Sequence, residues 1–136
     1  MSEFSGGCLC GRVRYTAGKP TVCGHCHCVD CRKTSATGHA THAMVAGPSF
    51  EVTGELACYE RPADSGNLVT RYFCPDCGSA VYSINSATPG MIFVRASSLD
   101  DPSAVTPQMV VYASRAPAWD RIDGLPSFPE MAPMPA

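Results

Sequence analysis

The chain has 136 residues, 45% hydrophobic and only 16% charged, which suits one domain with a buried core. Its formal charge of -2, with no basic run longer than Arg32-Lys33, argues against a nucleic-acid surface. No apolar stretch nears the roughly 18 residues of a membrane span. The start MSEFSGG lacks the features of a secretory signal, so a reducing cytoplasm is the expected setting.

In chain order, short runs rich in β-branched and aromatic residues predict strands at Arg12–Thr16, Thr41–Val45, Phe50–Thr53 and Leu56–Glu60. Further runs follow at Leu68–Phe73, Ala80–Ile84, Met91–Ala96 and Met109–Tyr112. No segment keeps a helical apolar pattern over three turns; at most one turn runs through VDCRK after Cys28. The fold class is therefore mainly β, with small antiparallel sheets and few or no long helices. One domain spans 5–128, and a proline-rich tail occupies 129–136. Trp119, Ile122, Leu125 and Phe128 are expected to tack the end of the chain onto the body.

Nine cysteines stand at positions 8, 10, 23, 26, 28, 31, 58, 74 and 77. An odd count, without a secretory signal, points to metal binding rather than to disulfides. Cys8-Leu9-Cys10 precedes a strand, and Cys74-Pro75-Asp76-Cys77-Gly78 has the shape of a zinc knuckle just after one. Two such pairs make a four-thiolate tetrahedral site, which is coordinatively full and so structural.

Cys26-x-Cys28-x-x-Cys31 differs, because three protein ligands are the number that leaves one position open on a catalytic zinc. Cys23 can instead supply a fourth thiolate and close the site, and a metal-free redox dithiol is a third reading. Arg32 and Lys33 follow at once, placed to offset thiolate charge or to hold a carboxylate. His27 is a candidate for orienting the site and His25 a weaker candidate ligand. His39 and His42 read as strand or loop residues, and Cys58 as a small buried hydrophobe. Ser79 is expected to bond backbone or sulfur, and Asp100-Asp101-Pro102 to form a turn.

In order, GGCLCGRVRY, CHCVDCRK, FCPDCGS, SLDDP and SRAPAW resemble the glutathione-dependent formaldehyde-activating enzyme family, over about residues 6 to 128. The resemblance implies a β-tent architecture pinned by two zinc ions. The structural zinc would sit on Cys8, Cys10, Cys74 and Cys77. The active-site zinc would sit on Cys26, Cys28 and Cys31; if the thiol is glutathione, Arg32 and Lys33 read from their position as contacts for its carboxylate or, equally, as a solvated basic pair. It further implies a carbon–sulfur lyase type of activity on the glutathione adduct of a small aldehyde such as formaldehyde. The alternative is a non-catalytic zinc-binding module or thiol carrier. Ser35-Ala36, Ser97, Met109 and the stretched Ala116-Pro117-Ala118-Trp119 depart from the family's pattern, all outside the metal ligands.

Overall fold

The computed structural model describes residues 4–132. In chain order its elements are β1 (Phe4–Gly7), β2 (Arg14–Ala17), β3 (Val22–Cys26), α1 (Val29–Ser35), β4 (Ala40–Ala46) and β5 (Glu51–Thr53). There follow β6 (Ala57–Pro62), β7 (Leu68–Phe73), β8 (Ala80–Asn85), β9 (Met91–Arg95) and β10 (Met109–Val111), with short 3-10 turns between some of them. The mainly β expectation holds, and the strand at Leu68–Phe73 coincides with its predicted span. β1 and β3 are additional: FSGG and VCGHC carry glycine and cysteine where strand-forming side chains are usual.

The strands form a three-stranded sheet, β1-β2-β5, and a seven-stranded sheet, β10-β3-β4-β9-β8-β7-β6. Pairing is antiparallel except between β10 and β3, which run parallel. A strand's side chains alternate between faces, and directly paired residues share a face. On the large sheet Ala43 pairs with Val94, and Val94 with Tyr82, so these three line one face. That face packs with Val13, Tyr15 and Ala17 of the small sheet's side, together with Val45, Val81, Ala96 and Leu99. Val13, Val45, Val81 and Val94 are essentially sealed from solvent. Each such burial stabilises by about 1.5–3 kcal/mol. The Tyr15 hydroxyl is satisfied at the edge of this core by Ser98 Oγ, 2.6 Å away.

The opposite face of the large sheet carries a different set. Cys26 pairs with Ala40 and Gly24 with His42. His42 pairs with Arg95, and Met44 with Phe93. Phe93 then pairs with Ser83, Ser83 with Arg71, and Arg71 with Tyr59. This register sets a histidine and two arginines on the same side as Cys26.

After β10 the chain returns along that strand. Val110 N–H donates to Pro126 O and Phe128 N–H to Val110 O, both at 2.9 Å. Tyr112 N–H donates to Glu130 O at 2.9 Å, so the predicted tail begins tied to the body. Residues 133–136 of that tail lie outside the described residues. Trp119 does not help: it is 72% exposed. Cys58 is exposed too, because β6 is the edge of the large sheet and lacks a covering layer. Among the described residues no helix is long and apolar enough to cross a membrane.

Candidate metal centres

Two turns bring Cys8, Cys10, Cys74 and Cys77 together, with their sulfurs all within 4.8 Å of one another. Cys8 N–H is bonded to Val13 O, and Gly11 N–H closes back to Cys8 O. In the second turn Gly78 N–H closes back to Cys74 O at 2.8 Å. Gly11 and Gly78 both hold positive φ, +83° and +77°, a backbone that a side chain at either position would strain. The Cys8–Cys10 and Cys10–Cys74 sulfur separations are 3.5 and 3.7 Å. Four thiolates at about 2.3 Å from one zinc stand about 3.8 Å apart, so the spacing fits such an ion.

Backbone amides supply the remaining support. Val13 N–H donates to Cys8 Sγ at 3.3 Å and Asp76 N–H to Cys74 Sγ at 3.4 Å. Ser79 does both jobs expected of it, accepting from Leu9 N–H at 3.1 Å and lying 3.3 Å from Cys77 Sγ. Hydrogen bonds from the Ser79 hydroxyl and backbone lower the Cys77 pKa to about 5. Cys77 itself is thus prepared to carry negative charge.

The second grouping is Cys26, Cys28 and Cys31, again with sulfurs within 4.8 Å. Cys26 ends β3, Cys28 caps α1, and Cys31 lies on the helix's buried side. Cys31 N–H donates to Cys28 Sγ at 3.3 Å, so the cap that starts the helix is itself a candidate ligand. Hydrogen bonds from Cys26 and Cys31 draw the Cys28 pKa down to about 2, whereas the same bonds push Cys26 far up. Three neutral thiols crowded this way share charge poorly; a cation among them relieves the conflict.

Cys23 is not in this grouping. It sits three residues before Cys26 on β3, hence on the other face, and is buried opposite Ala43. Burial pushes its thiol pKa up, as for a small core residue.

Buried polar groups surround the three cysteines. His42 Nε2 lies 3.5 Å from Cys31 Sγ, a contact that the strand pattern alone does not reveal. Burial, with help from Arg95 and Arg71, lowers the His42 pKa to about 3, so the ring is neutral. Arg95, 4% exposed, donates through Nη1 to Ser35 Oγ (2.7 Å) and through Nη2 to Thr34 Oγ1 (3.1 Å). Arg32 and Lys33 lie on the last turn of α1, and neither makes an ion pair among the described residues. The helix ends on Ala36, whose φ of +58° is the left-handed conformation usually left to glycine.

A third grouping was not legible beforehand. His27, His39 and Asp120 bring one ligand atom each within 4.8 Å. Here the Nδ1 atoms of both rings already have partners. Asp120 Oδ2 accepts from His39 Nδ1 at 2.6 Å, and Gly38 O accepts from His27 Nδ1 at 2.8 Å. A Cβ on Gly38 would lie 2.0 Å from Asp120 Oδ2, so only glycine lets that carboxylate close over the loop. The trio ties the segment between Cys26 and Cys28 to the returning chain, 81 residues beyond His39.

Two clefts open near the large sheet. One of about 330 Å³ is lined by Leu68, Thr70, Ile84 and Met91 among others, and touches none of the seven clustered cysteines. The other, about 170 Å³, is lined by Thr34, Tyr59, Arg71, Phe73 and Arg95 among others and adjoins the three-cysteine group through α1.

Comparison with known proteins adds three findings. The family model described as glutathione-dependent formaldehyde-activating enzyme matches residues 3–115. A Halomonas elongata protein provisionally named a glutathione-dependent formaldehyde-activating enzyme is 27% identical over 127 residues, covering 88% of this chain and 81% of that protein. A Rhodobacter sphaeroides protein of known crystal structure superposes with a TM-score of 0.59 at 22% identity, over 76% of this chain and 91% of that one, a likeness of fold. With a family match over most of its length, the chain belongs to the glutathione-dependent formaldehyde-activating enzyme family.

Proposed function

We propose that this chain is a zinc-dependent enzyme of carbon–sulfur lyase type, handling the glutathione adduct of a small aldehyde such as formaldehyde. The observation that carries the reading is the gathering of three sulfurs, Cys26, Cys28 and Cys31, with Cys23 on the opposite face. In this reading Cys8, Cys10, Cys74 and Cys77 hold a structural zinc, while the three-cysteine group holds a second, with its last position left for the substrate's sulfur. Zinc there would supply the charge that keeps a thiol ionised at neutral pH, where a free thiol of pKa ~8.5 is only a few per cent thiolate.

The chain's own residues then have separable tasks. Cys28 and Cys31 are held in relative position by the helix cap, and His42 steadies Cys31 by a hydrogen bond. A neutral His42 orients that sulfur without adding charge of its own. Arg95 and Arg71 add positive charge near the thiolates, each lowering the cost of ionisation. Arg32 and Lys33 are the proposed contacts for a glutathione carboxylate at the outer turn of α1.

Glutathione and formaldehyde also combine unaided, so the decisive assay compares the rate of adduct formation and breakdown with and without the metal-loaded chain. A rate well above the uncatalysed one supports the enzyme. Saturable glutathione binding with no acceleration identifies a carrier instead.

A further inference from the structure

Arg95 is a buried cation whose named hydrogen-bond partners are neutral hydroxyls. Arg71 is half-buried, and its Nη1 is sealed from solvent with no acceptor among the described residues. Neither pairs with a carboxylate among the described residues. An unpartnered buried donor on a charged group is costly unless something else satisfies it.

Register places both arginines on the Cys26 side of the large sheet, and both line the same 170 Å³ cleft. That volume equals about six water-sized groups at ~30 Å³ each. Tyr59, Phe73 and Thr34 complete an apolar and hydroxyl-bearing wall.

We propose that Arg71, backed by Arg95, recognises a carboxylate on the incoming thiol, so that the cleft selects carboxylated thiols over neutral ones. The inference rests on reading the three-cysteine group as a thiol-binding metal site. Arg95 has its guanidinium engaged by α1 and sets the local charge. Arg71 has the free donor, and its forked group suits the two oxygens of a carboxylate.

The test uses the full chain with cobalt in its metal sites, reading thiol binding from the sulfur-to-metal absorption band. Three probes are titrated: glutathione, its diethyl ester, and 2-mercaptoethanol. Wild-type protein is expected to bind glutathione about 10- to 100-fold more tightly than the ester. R71Q is expected to lose that factor for glutathione, so that glutathione and its ester then bind alike, with any loss shared by the ester and 2-mercaptoethanol at least about fivefold smaller than the loss for glutathione. Equal affinity of wild type for glutathione and the ester overturns the inference, whether or not R71Q folds. So does an R71Q variant that weakens all three probes alike, since Arg71 would then serve only the thiolates. If no probe binds wild type, the reading of an open metal site fails, and this inference with it.

Discussion

The two cysteine groups teach most when set side by side. Around Cys8, Cys10, Cys74 and Cys77, backbone amides of the same turns meet the sulfurs, and Ser79 fills the remaining gap. Around Cys26, Cys28 and Cys31 the neighbours are a buried histidine and buried or half-buried arginines with atoms left over. Of the four buried side-chain polar atoms without a partner among the described residues, His27 Nε2 lies between two of these cysteines in sequence, and His42 Nδ1 and Arg71 Nη1 share the Cys26 face of the sheet. A clamp satisfies its own groups; a site built for a visitor leaves some unsatisfied.

That contrast can be broken most severely at the clamp. Cys74→Ser removes a fully buried candidate ligand that joins the β7–β8 turn to the N-terminal turn. It is expected to lose one metal ion per chain and more than about 4 kcal/mol of stability, measured by metal analysis and denaturant unfolding. Cys28→Ser should also lose one ion, but with the fold kept at a cost below about 2 kcal/mol and thiol binding abolished. Equal damage from the two variants would erase the division between clamp and site.

Cys23→Ser sharpens the same comparison. Its sulfur faces the core, so the expected result is two ions retained and a penalty of about 1–3 kcal/mol for burying a hydroxyl. Loss of an ion would make Cys23 a ligand.

The smallest effect concerns the scaffold beside the clamp. Bonds from Arg14 and Ser5 hold the Asp100 carboxyl down at about 2. The ionised form is thus favoured in the folded state. Its stabilisation is complete above about pH 4 and disappears as the pH falls through about 2. Asp100→Asn should lower the melting temperature slightly at pH 6, and the gap to wild type should close toward pH 2.

Local chemistry was legible in the sequence where one stretch of chain decides the outcome. The knuckle at Cys74–Gly78 and the strand at Leu68–Phe73 follow from spacing and residue type, whereas the helix after Cys28 runs seven residues, beyond the single turn expected through VDCRK. Residues 4–7 gave no strand signal because FSGG forms a strand through its pairing with β2. Cys58 misled because alternation shows which residues share a face, without showing whether that face is covered.

The candidate site was half legible for the same reason. The two sets of cysteines that converge lie in motifs, and motifs are read along the chain. His42 beside Arg95, Arg71 two strands away, and Asp120 reaching His39 are products of sheet register and of a returning chain end. No spacing rule within a window of twenty residues encodes them.

The most direct test of the central claim is the sulfur coordination of the metal-replete protein by X-ray absorption, before and after glutathione is added, with metal content measured on the same sample. The account predicts two ions per chain and an average of about three and a half sulfurs per ion, rising to about four with glutathione. An average of four before any thiol is added, unchanged afterwards, would contradict it.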